Sequence, residues 1–457
     1  MSSRLALYAR RAPRPVHFSE MLKFGPTPHP NTLLATSRFL ADEISVRLAH
    51  RHAELESLPY GLSTTREAAL VREWYSISFN ELTRFYDDLD RHSRDPGMAP
   101  AWTKNWWHRL GQSDDSGSKT STADVPRGVA ATSAVVEPTP SMPLTPDRYY
   151  TPNPPPLPPH MQDAVPQYTK RFTSLLHGIV ERHNPVVVTV SKNVPRLLPA
   201  HMPQHHPEVQ AFLNRFHANR VGVRVLIGHH LALSNPKARR FPNHIGIVCT
   251  KTDTVAVAQE AATDASEICE QNFGVAPPVH IVLANQTTIS DSDIASSAAL
   301  SLVYIPSHLH HILFELLKNA MRATLLKHTP SSGSPIPPVT ITVTPTATNI
   351  SIKIADQGCG IPRAQLANVM TYAYTTAATS VAPDGSNSAT AAAVDDLFTG
   401  SELQAPMAGF GYGLPLARLY ARYFKGDLSI SSTQGKGTEV ELTLRRDWVN
   451  DDEQVVL

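Results

Sequence analysis

The chain has 457 residues, enough for two or three domains, and its 41 Lys and Arg residues nearly balance its 40 Asp and Glu residues. This balance gives no electrostatic basis for binding nucleic acid, and no apolar run approaches the roughly 20 residues that cross a bilayer, so we expect neither a nucleic-acid partner nor a membrane span. The three cysteines form no CxxC pair, which argues against a disulfide framework or a zinc site.

The first 19 residues have the composition of a mitochondrial transit peptide. Their basic residues are Arg4, Arg10, Arg11 and Arg14. Two serines stand near the start, and the first acidic residue is Glu20, as is typical of such segments. Pro13 and Pro15 interrupt any amphipathic helix. Residues 1–19 are therefore predicted to be a targeting segment, the alternative being an irregular basic tail.

Residues 20–270 are predicted to form a helical bundle. Apolar side chains recur at helical spacing in residues 38–58, 65–91, 168–184 and 208–234. Between residues 94 and 166 this pattern gives way to Ser, Thr and Pro, which predicts a disordered insert with polyproline II character. Because the helical pattern resumes afterwards, the insert is expected to interrupt the bundle rather than to separate two domains.

His229 and His230 are adjacent in the last of these helical stretches. Neighbouring residues on a helix point in different directions, so the pair is not expected to bind one metal ion. We expect both histidines to be ordinary polar positions at the edge of the bundle.

Residues 275–446 show a different pattern. Short β-rich segments with alternating polarity are interleaved with helical patterns at residues 308–327 and 413–424. This order predicts an α+β sandwich in which helices cover one mixed sheet. Residues 447–457 are predicted to form a short C-terminal tail.

The first helix of this region carries a polar stripe. His311, Glu315 and Asn319 are four residues apart and therefore share one helix face, which Arg322 extends. A carboxylate can accept a proton from a hydroxyl group, and an amide oxygen can ligate Mg²⁺. The simpler alternative is a solvated polar face.

Two glycine-rich turns follow along the chain. Asp356 begins the pattern Asp-x-Gly-x-Gly after an alternating strand, and its carboxylate can accept a hydrogen bond from an exocyclic amino group while Gly358 and Gly360 allow close backbone turns. Gly409, Gly411 and Gly413 then precede a helix, an arrangement suited to wrapping backbone N–H groups around phosphates. Either pattern alone is weak evidence, but their order is specific.

Together these segments resemble the N, G1 and G2 boxes of the GHKL ATPase superfamily. Within it, ELLKNAMRAT at residues 315–324 and GFGYGLPLARLYARYFKGDLSI at 409–430 resemble the mitochondrial 2-oxoacid dehydrogenase kinases. VGVRVLIGHHLAL at residues 221–233 extends the resemblance into the helical half. The fold that this resemblance implies is α+β, with an N-terminal helical bundle followed by a GHKL-type α/β sandwich that binds ATP.

The resemblance also implies roles for individual residues. Glu315 would be the general base, His311 would tune it, Asn319 would hold Mg²⁺, and Asp356 would read adenine. Further nucleotide contacts would come from Arg322, Gly358, Gly360, Thr375, Thr376, Ala408, Gly409, Gly411, Gly413, Leu414 and Thr438. Backbone oxygens of Val369, Thr371 and Tyr374 would hold a K⁺ ion.

The function implied by the resemblance is a serine kinase of the mitochondrial matrix. It would phosphorylate the E1α subunit of a 2-oxoacid dehydrogenase complex, bind the lipoyl-bearing E2 core, and form a homodimer. Segments such as RVLIGHHLAL and NFGVAPPV favour the branched-chain complex, whereas AHRHAELESLPYGLS and DQGCGIP favour the pyruvate complex. The alternatives are a two-component histidine kinase and a non-catalytic GHKL ATPase or chaperone.

Overall fold

The amino-terminal half of the chain is helical. The computed structural model describes residues 3–94, 148–152, 154, 162–197, 207–235, 243–284, 300–328, 335–374 and 411–446. The helices of the bundle are α1 (Ser3–Tyr8), α2 (Phe18–Leu22), α3 (Pro30–Glu56), α4 (Arg66–Arg94), α5 (Val165–His183), α6 (Val186–Leu197) and α7 (Pro207–Ser234). The predicted helical bundle is thereby confirmed.

Helix α3 lies at the centre of the bundle and packs against α4, α5 and α7. It begins at Pro30, whose fixed φ suits a first helical turn, and the His29 side chain accepts a hydrogen bond from the Asn31 backbone N–H. Its apolar side chains Phe39 and Ile44 are fully buried. None of the described helices is both long and apolar enough to cross a bilayer.

Residues 3–19 are part of this bundle, because α1 packs on α3. Arg11 donates two hydrogen bonds to the buried Asp42, and the Arg14 side chain donates to Asp42 at 2.7 Å and to Glu43 at 3.2 Å. These contacts argue against the alternative of an irregular tail, since the buried carboxylates hold the arginines in place. Removal of this segment as a targeting peptide stays a prediction.

Part of the expected disordered insert also packs on the bundle. The ring of Tyr149 is 1% exposed and makes edge contacts with Phe24 and Phe39, with ring centroids 5.3 and 5.9 Å apart. Burial of this aromatic ring holds residues 148–152 against α3, so the predicted boundaries of the insert were too wide. Residues 95–147 lie outside the described part of the chain.

His229 and His230 occupy the core rather than the edge of the bundle. Both are 0% exposed, and burial lowers the pKa of each to about 3, so both rings are neutral. The ring of His230 meets that of Phe172 edge-on. The expected exposure was wrong because α7 is covered by α3 and α5 and by a helix of the following domain.

The second half of the structure contains a five-stranded mixed sheet. The remaining elements are β1 (His244–Ile245), β2 (Val248–Asp253), α8 (Thr254–Phe273), β3 (Val279–Leu283), β4 (Ser301–Tyr304), α9 (Pro306–Lys327), β5 (Val339–Pro345), β6 (Asn349–Ala355), α10 (Gly413–Tyr423), β7 (Asp427–Thr433) and β8 (Gly437–Arg445). The strand order is β3-β5-β6-β8-β7, with β3 parallel to β5 and the other pairs antiparallel. This confirms the predicted α+β class.

The boundary between the two halves lies earlier than predicted. Strand β2 pairs with β4 in a separate small sheet, and α8 packs along α9. The buried face of α8 contains the small residues Ala258, Ala261 and Ala265, which allow this close approach. Residues 244–273 therefore belong with the α+β half, whereas the sequence pattern assigned residues up to 270 to the bundle.

Candidate nucleotide-binding site

A cleft of about 410 Å³ opens between α9, the turn after β6 and the N-terminus of α10. Its lining includes eleven of the residues selected from the sequence, namely Glu315, Asn319, Arg322, Asp356, Gly360, Val369, Tyr374, Gly411, Gly413, Leu414 and Thr438. The fold therefore brings together segments that are far apart along the chain.

One face of α9 forms a wall of this cleft. Glu315, Asn319, Arg322 and Leu326 all line it, spaced three or four residues apart. The opposite face of the helix buries Leu313 and other apolar side chains against the core. The interval from residue 315 to residue 326 corresponds to about 16 Å of helix, so the wall offers a carboxylate at one end and an apolar side chain at the other.

Glu315 is held as an ionised carboxylate. Its Oε1 lies 2.7 Å from Nζ of Lys318, and both side chains are largely buried. Burial raises the pKa of Glu315, but the charges of Lys318 and His311 and the hydrogen bond from Lys318 outweigh it and lower the pKa below its usual value. Lys318 also lies over the Phe314 ring at 4.7 Å. Its i,i+3 spacing from Glu315 was the sequence signal for this pair, and it was missed.

Asp356 lies at the other end of the cleft. Its Oδ1 accepts hydrogen bonds from the backbone N–H groups of Gly358, at 2.8 Å, and Thr438, at 3.2 Å. Burial raises the pKa of Asp356, while these two donors lower it by a smaller amount. With Oδ1 engaged in this way, Oδ2 is the oxygen available to accept a hydrogen bond from a ligand in the cleft.

The backbone on either side of residues 375–410 meets at the cleft. Ala373 N–H donates to the Gly411 carbonyl at 3.1 Å, and Gly411 has a φ of 80°. A Cβ at Gly411 would overlap the Tyr374 carbonyl, so only glycine fits there. Thr375, Thr376, Ala408 and Gly409 lie outside the described residues.

Three other selected residues lie beside the cleft without lining it. His311 is 4% exposed and its ring meets Tyr420 edge-on, with ring centroids 5.4 Å apart. Gly358 packs on α9, where a Cβ would lie 2.7 Å from the backbone of Ala323. Thr371 bonds within its own turn through its side chain. His311 thus packs between α9 and α10, and Gly358 allows the turn after β6 to approach α9 closely.

The lining fits a magnesium-bound adenine nucleotide. The apolar side chains Ile354, Ile361, Ile430 and Val440, which no sequence motif indicated, line the cleft together with Asp356 and suit an aromatic base. Arg322 adds a positive charge, and Asn319, which is exposed on the cleft wall, offers an amide oxygen suited to Mg²⁺. A base would thus lie at the Asp356 end and phosphates towards Glu315 and α10.

This fold and site define an ATPase domain of the GHKL class. Residues 304–447 match the family described as histidine kinase-, DNA gyrase B-, and HSP90-like ATPase. Residues 15–249 match the family described as mitochondrial branched-chain alpha-ketoacid dehydrogenase kinase. The chain belongs to the family of mitochondrial 2-oxoacid dehydrogenase kinases.

Similar full-length proteins come from distant organisms. A mitochondrial [pyruvate dehydrogenase (acetyl-transferring)] kinase of Arabidopsis thaliana is 30% identical over 93% of this chain and 88% of its own length. The Schizosaccharomyces pombe protein of the same name is 28% identical over 98% and 96%. Human isozyme 4 is 29% identical over 96% and 82%. The similarity therefore extends through both halves of the structure.

Proposed function

We propose that this chain is an ATP-dependent protein kinase that phosphorylates a serine on the E1α subunit of a mitochondrial 2-oxoacid dehydrogenase complex. The observation that carries the proposal is the ionised Glu315 carboxylate at the phosphate end of the cleft, one helical turn from Asn319. A base in this position can take the proton of an incoming hydroxyl group.

Each end of the cleft has a distinct task in this proposal. Asp356 accepts a hydrogen bond from the amino group of adenine and so orients the base. Asn319 contributes an oxygen to Mg²⁺, and bound Mg²⁺ neutralises phosphate charge during phosphoryl transfer. Arg322 adds a fixed positive charge along the same face. These residues act by positioning and charge, which is how phosphoryl transfer is mainly accelerated.

Glu315 acts on the substrate hydroxyl in this scheme, and its neighbours set its state. Lys318 and His311 lower the pKa of the carboxylate, so it is free to accept a proton at neutral pH. His311 touches neither the cleft nor the substrate and is a positioning residue. The serine oxygen takes the γ-phosphoryl group of ATP, its proton passes to Glu315, and ADP is the leaving group.

Further features of the proposal come from the family. Thr375, Thr376, Ala408 and Gly409 complete the nucleotide contacts, and backbone oxygens of Val369, Thr371 and Tyr374 hold K⁺. The protein acts in the mitochondrial matrix as a homodimer and docks on the lipoyl-bearing E2 core of its target complex. These assignments are supported by the family membership and by the positions of Val369 and Tyr374 at the cleft.

Two complexes are candidate targets. The curated relatives described above carry the name of the pyruvate dehydrogenase kinases, which favours the pyruvate complex. The match of residues 15–249 to a family named for the branched-chain kinase, together with the segment RVLIGHHLAL, favours the branched-chain complex. Both belong in the same assay.

The decisive experiment incubates the protein and γ-labelled Mg·ATP with each purified complex, side by side. The proposal expects acid-stable phosphoserine on E1α and loss of dehydrogenase activity with one complex. Acid-labile phosphohistidine on the kinase chain would instead identify a two-component histidine kinase. Release of free phosphate without any labelled protein would identify a GHKL ATPase or chaperone.

A further inference from the structure

We propose that Lys327 is a positioning residue for base recognition, which holds the turn that carries Asp356. The inference rests on the proposed nucleotide site and deepens it. Lys327 is the last residue of α9. Its ammonium group donates to the Gly435 carbonyl at 2.9 Å and to the Gly358 carbonyl at 3.3 Å, and so joins two separate turns.

The two turns joined by Lys327 are also linked to each other directly. Gly435 N–H donates to the Cys359 carbonyl at 2.7 Å, and Ile361 N–H donates to Oγ of Ser432 at 2.8 Å. The turn after β6 is thus held against the turn between β7 and β8. A Cβ at Gly360 would overlap the Thr433 carbonyl, so the two backbones are in close contact.

The carboxylate of Asp356 depends on this pair of turns. Asp356 N–H donates to the Thr438 carbonyl at 2.9 Å, while Oδ1 of Asp356 accepts from Thr438 N–H and from Gly358 N–H. Gly358 is therefore bonded to Asp356 through its N–H and to Lys327 through its carbonyl. Any movement of this peptide shifts the carboxylate that would read the base.

Lys327 lies near the end of the cleft proposed to bind the base and far from the end proposed to transfer the phosphoryl group. Lys327 follows Glu315 by about 18 Å of helix, at the opposite end of the cleft wall. Loss of the ammonium group leaves two carbonyls without this donor and loosens the Asp356 end alone. The effect should therefore fall on nucleotide affinity and on the choice between adenine and guanine, whose 6-position carries an oxygen that the Asp356 carboxylate repels.

The alternative role of Lys327 is purely structural, because a lysine in the last turn of a helix interacts favourably with the helix dipole. That role predicts lower thermal stability without altered base selectivity. Lys436 provides a matched control, since it is exposed in the turn between β7 and β8, and its side chain makes no hydrogen bond with the described residues.

The test compares the wild-type protein with Lys327→Met, Lys327→Arg and Lys436→Met. Steady-state kinetics with Mg·ATP and Mg·GTP give KM and kcat for each. Lys327→Met should raise KM for ATP about three- to tenfold, the change expected when the one hydrogen bond between Asp356 and the base is weakened, and leave kcat within about twofold. Its preference for ATP over GTP should fall, Lys327→Arg should restore it, and Lys436→Met should match the wild type.

Other outcomes are equally clear. The assignment of Lys327 would be overturned if Lys327→Met and Lys436→Met had equal KM values and equal base preference. It would also be overturned if Lys327→Met lowered the melting temperature without changing KM. Wild-type protein that binds neither nucleotide would overturn the proposed function itself. Nucleotide binding by the wild type, measured first, therefore tells the two failures apart.

Discussion

Gly413, the first residue of α10, lies directly against the carboxylate of Glu315. A Cβ at position 413 would overlap Oε2, so the carboxylate occupies the space where a side chain would stand. The N-terminus of a helix carries a partial positive charge, and Lys318 lies on the other carboxylate oxygen at 2.7 Å. The carboxylate of Glu315, the proposed general base, is thus enclosed between two positive groups that come from different helices.

Replacing Glu315 by Gln should abolish phosphoryl transfer while preserving nucleotide binding. Glutamine keeps the shape of the side chain but cannot accept the proton, so kcat should fall by about 10² to 10⁴. Single-turnover transfer and calorimetric binding of Mg·ATP measure the two effects separately. A variant that still transfers phosphate at the normal rate would remove Glu315 from the role of base.

Replacing Asn319 by Ala should weaken the binding of Mg·ATP about tenfold, because one oxygen ligand of Mg²⁺ is lost. The same variant, titrated with ATP in the presence of EDTA, should bind as the wild type does. The difference between these two titrations isolates the metal contribution. Equal loss with and without Mg²⁺ would assign Asn319 to the nucleotide rather than to the metal.

As the pH is lowered, the affinity for ATP should begin to fall at a higher pH than it would if Asp356 had the usual pKa of an aspartate. Burial raises the pKa of Asp356, so its ionised form is lost as the pH falls through a value above the usual range. The protonated carboxyl group is a weaker acceptor for the amino group of adenine. Binding of ATP should be measured from neutral to acidic pH in the wild type and in Asp356→Asn, which lacks this titration.

The ratio of the two affinities at each pH cancels the protonation of ATP itself. A ratio that stays constant over the whole range would show that Asp356 does not titrate in contact with the base. Thermal melting at each pH, without ATP, reports unfolding of either protein separately.

Cys359 should report occupancy of the cleft. It is exposed and lines the cleft, whereas Cys249 and Cys269 are buried. In the folded protein, iodoacetamide should therefore label Cys359 ahead of the other two. ATP at ten times its Kd, with Mg²⁺, should slow this labelling about tenfold, because only the free fraction reacts. Mass spectrometry of the labelled peptides gives the rates, and labelling unaffected by saturating ATP would contradict the nucleotide site.

The amino-terminal segment should contribute to the stability of the whole bundle. Arg14→Met removes donors to Asp42 and Glu43, which are 5% and 0% exposed, and should lower the free energy of unfolding by about 2 kcal/mol. Arg10 is exposed, and Arg10→Met should change it by less than about 0.5 kcal/mol. Urea denaturation of both variants tests this, and equal stabilities would show that the arginine contacts are not stabilising.

Much of the local structure could be predicted from sequence patterns. The β-rich segments and the helical periods correspond to β3, β5, β6, β7, β8, α9 and α10, because each pattern depends only on the geometry of its own element. The predicted position of His229 at the edge of the bundle was wrong, because exposure does not depend on its own helix alone. Exposure depends on what packs around a helix, and the residues that cover α7 come from distant parts of the chain.

What the sequence by itself determined is the order of the functional groups, with Glu315, Asn319 and Arg322 on one helix face and Asp356 at the end of a strand. Only the tertiary structure decided their chemical state. The Oδ1 atom of Asp356 accepts a hydrogen bond from a residue 82 positions away, and Glu315 meets a helix that begins at Gly413. Burial and hydrogen bonding set the charge of a carboxylate, and both depend on contacts between distant segments that no local pattern encodes.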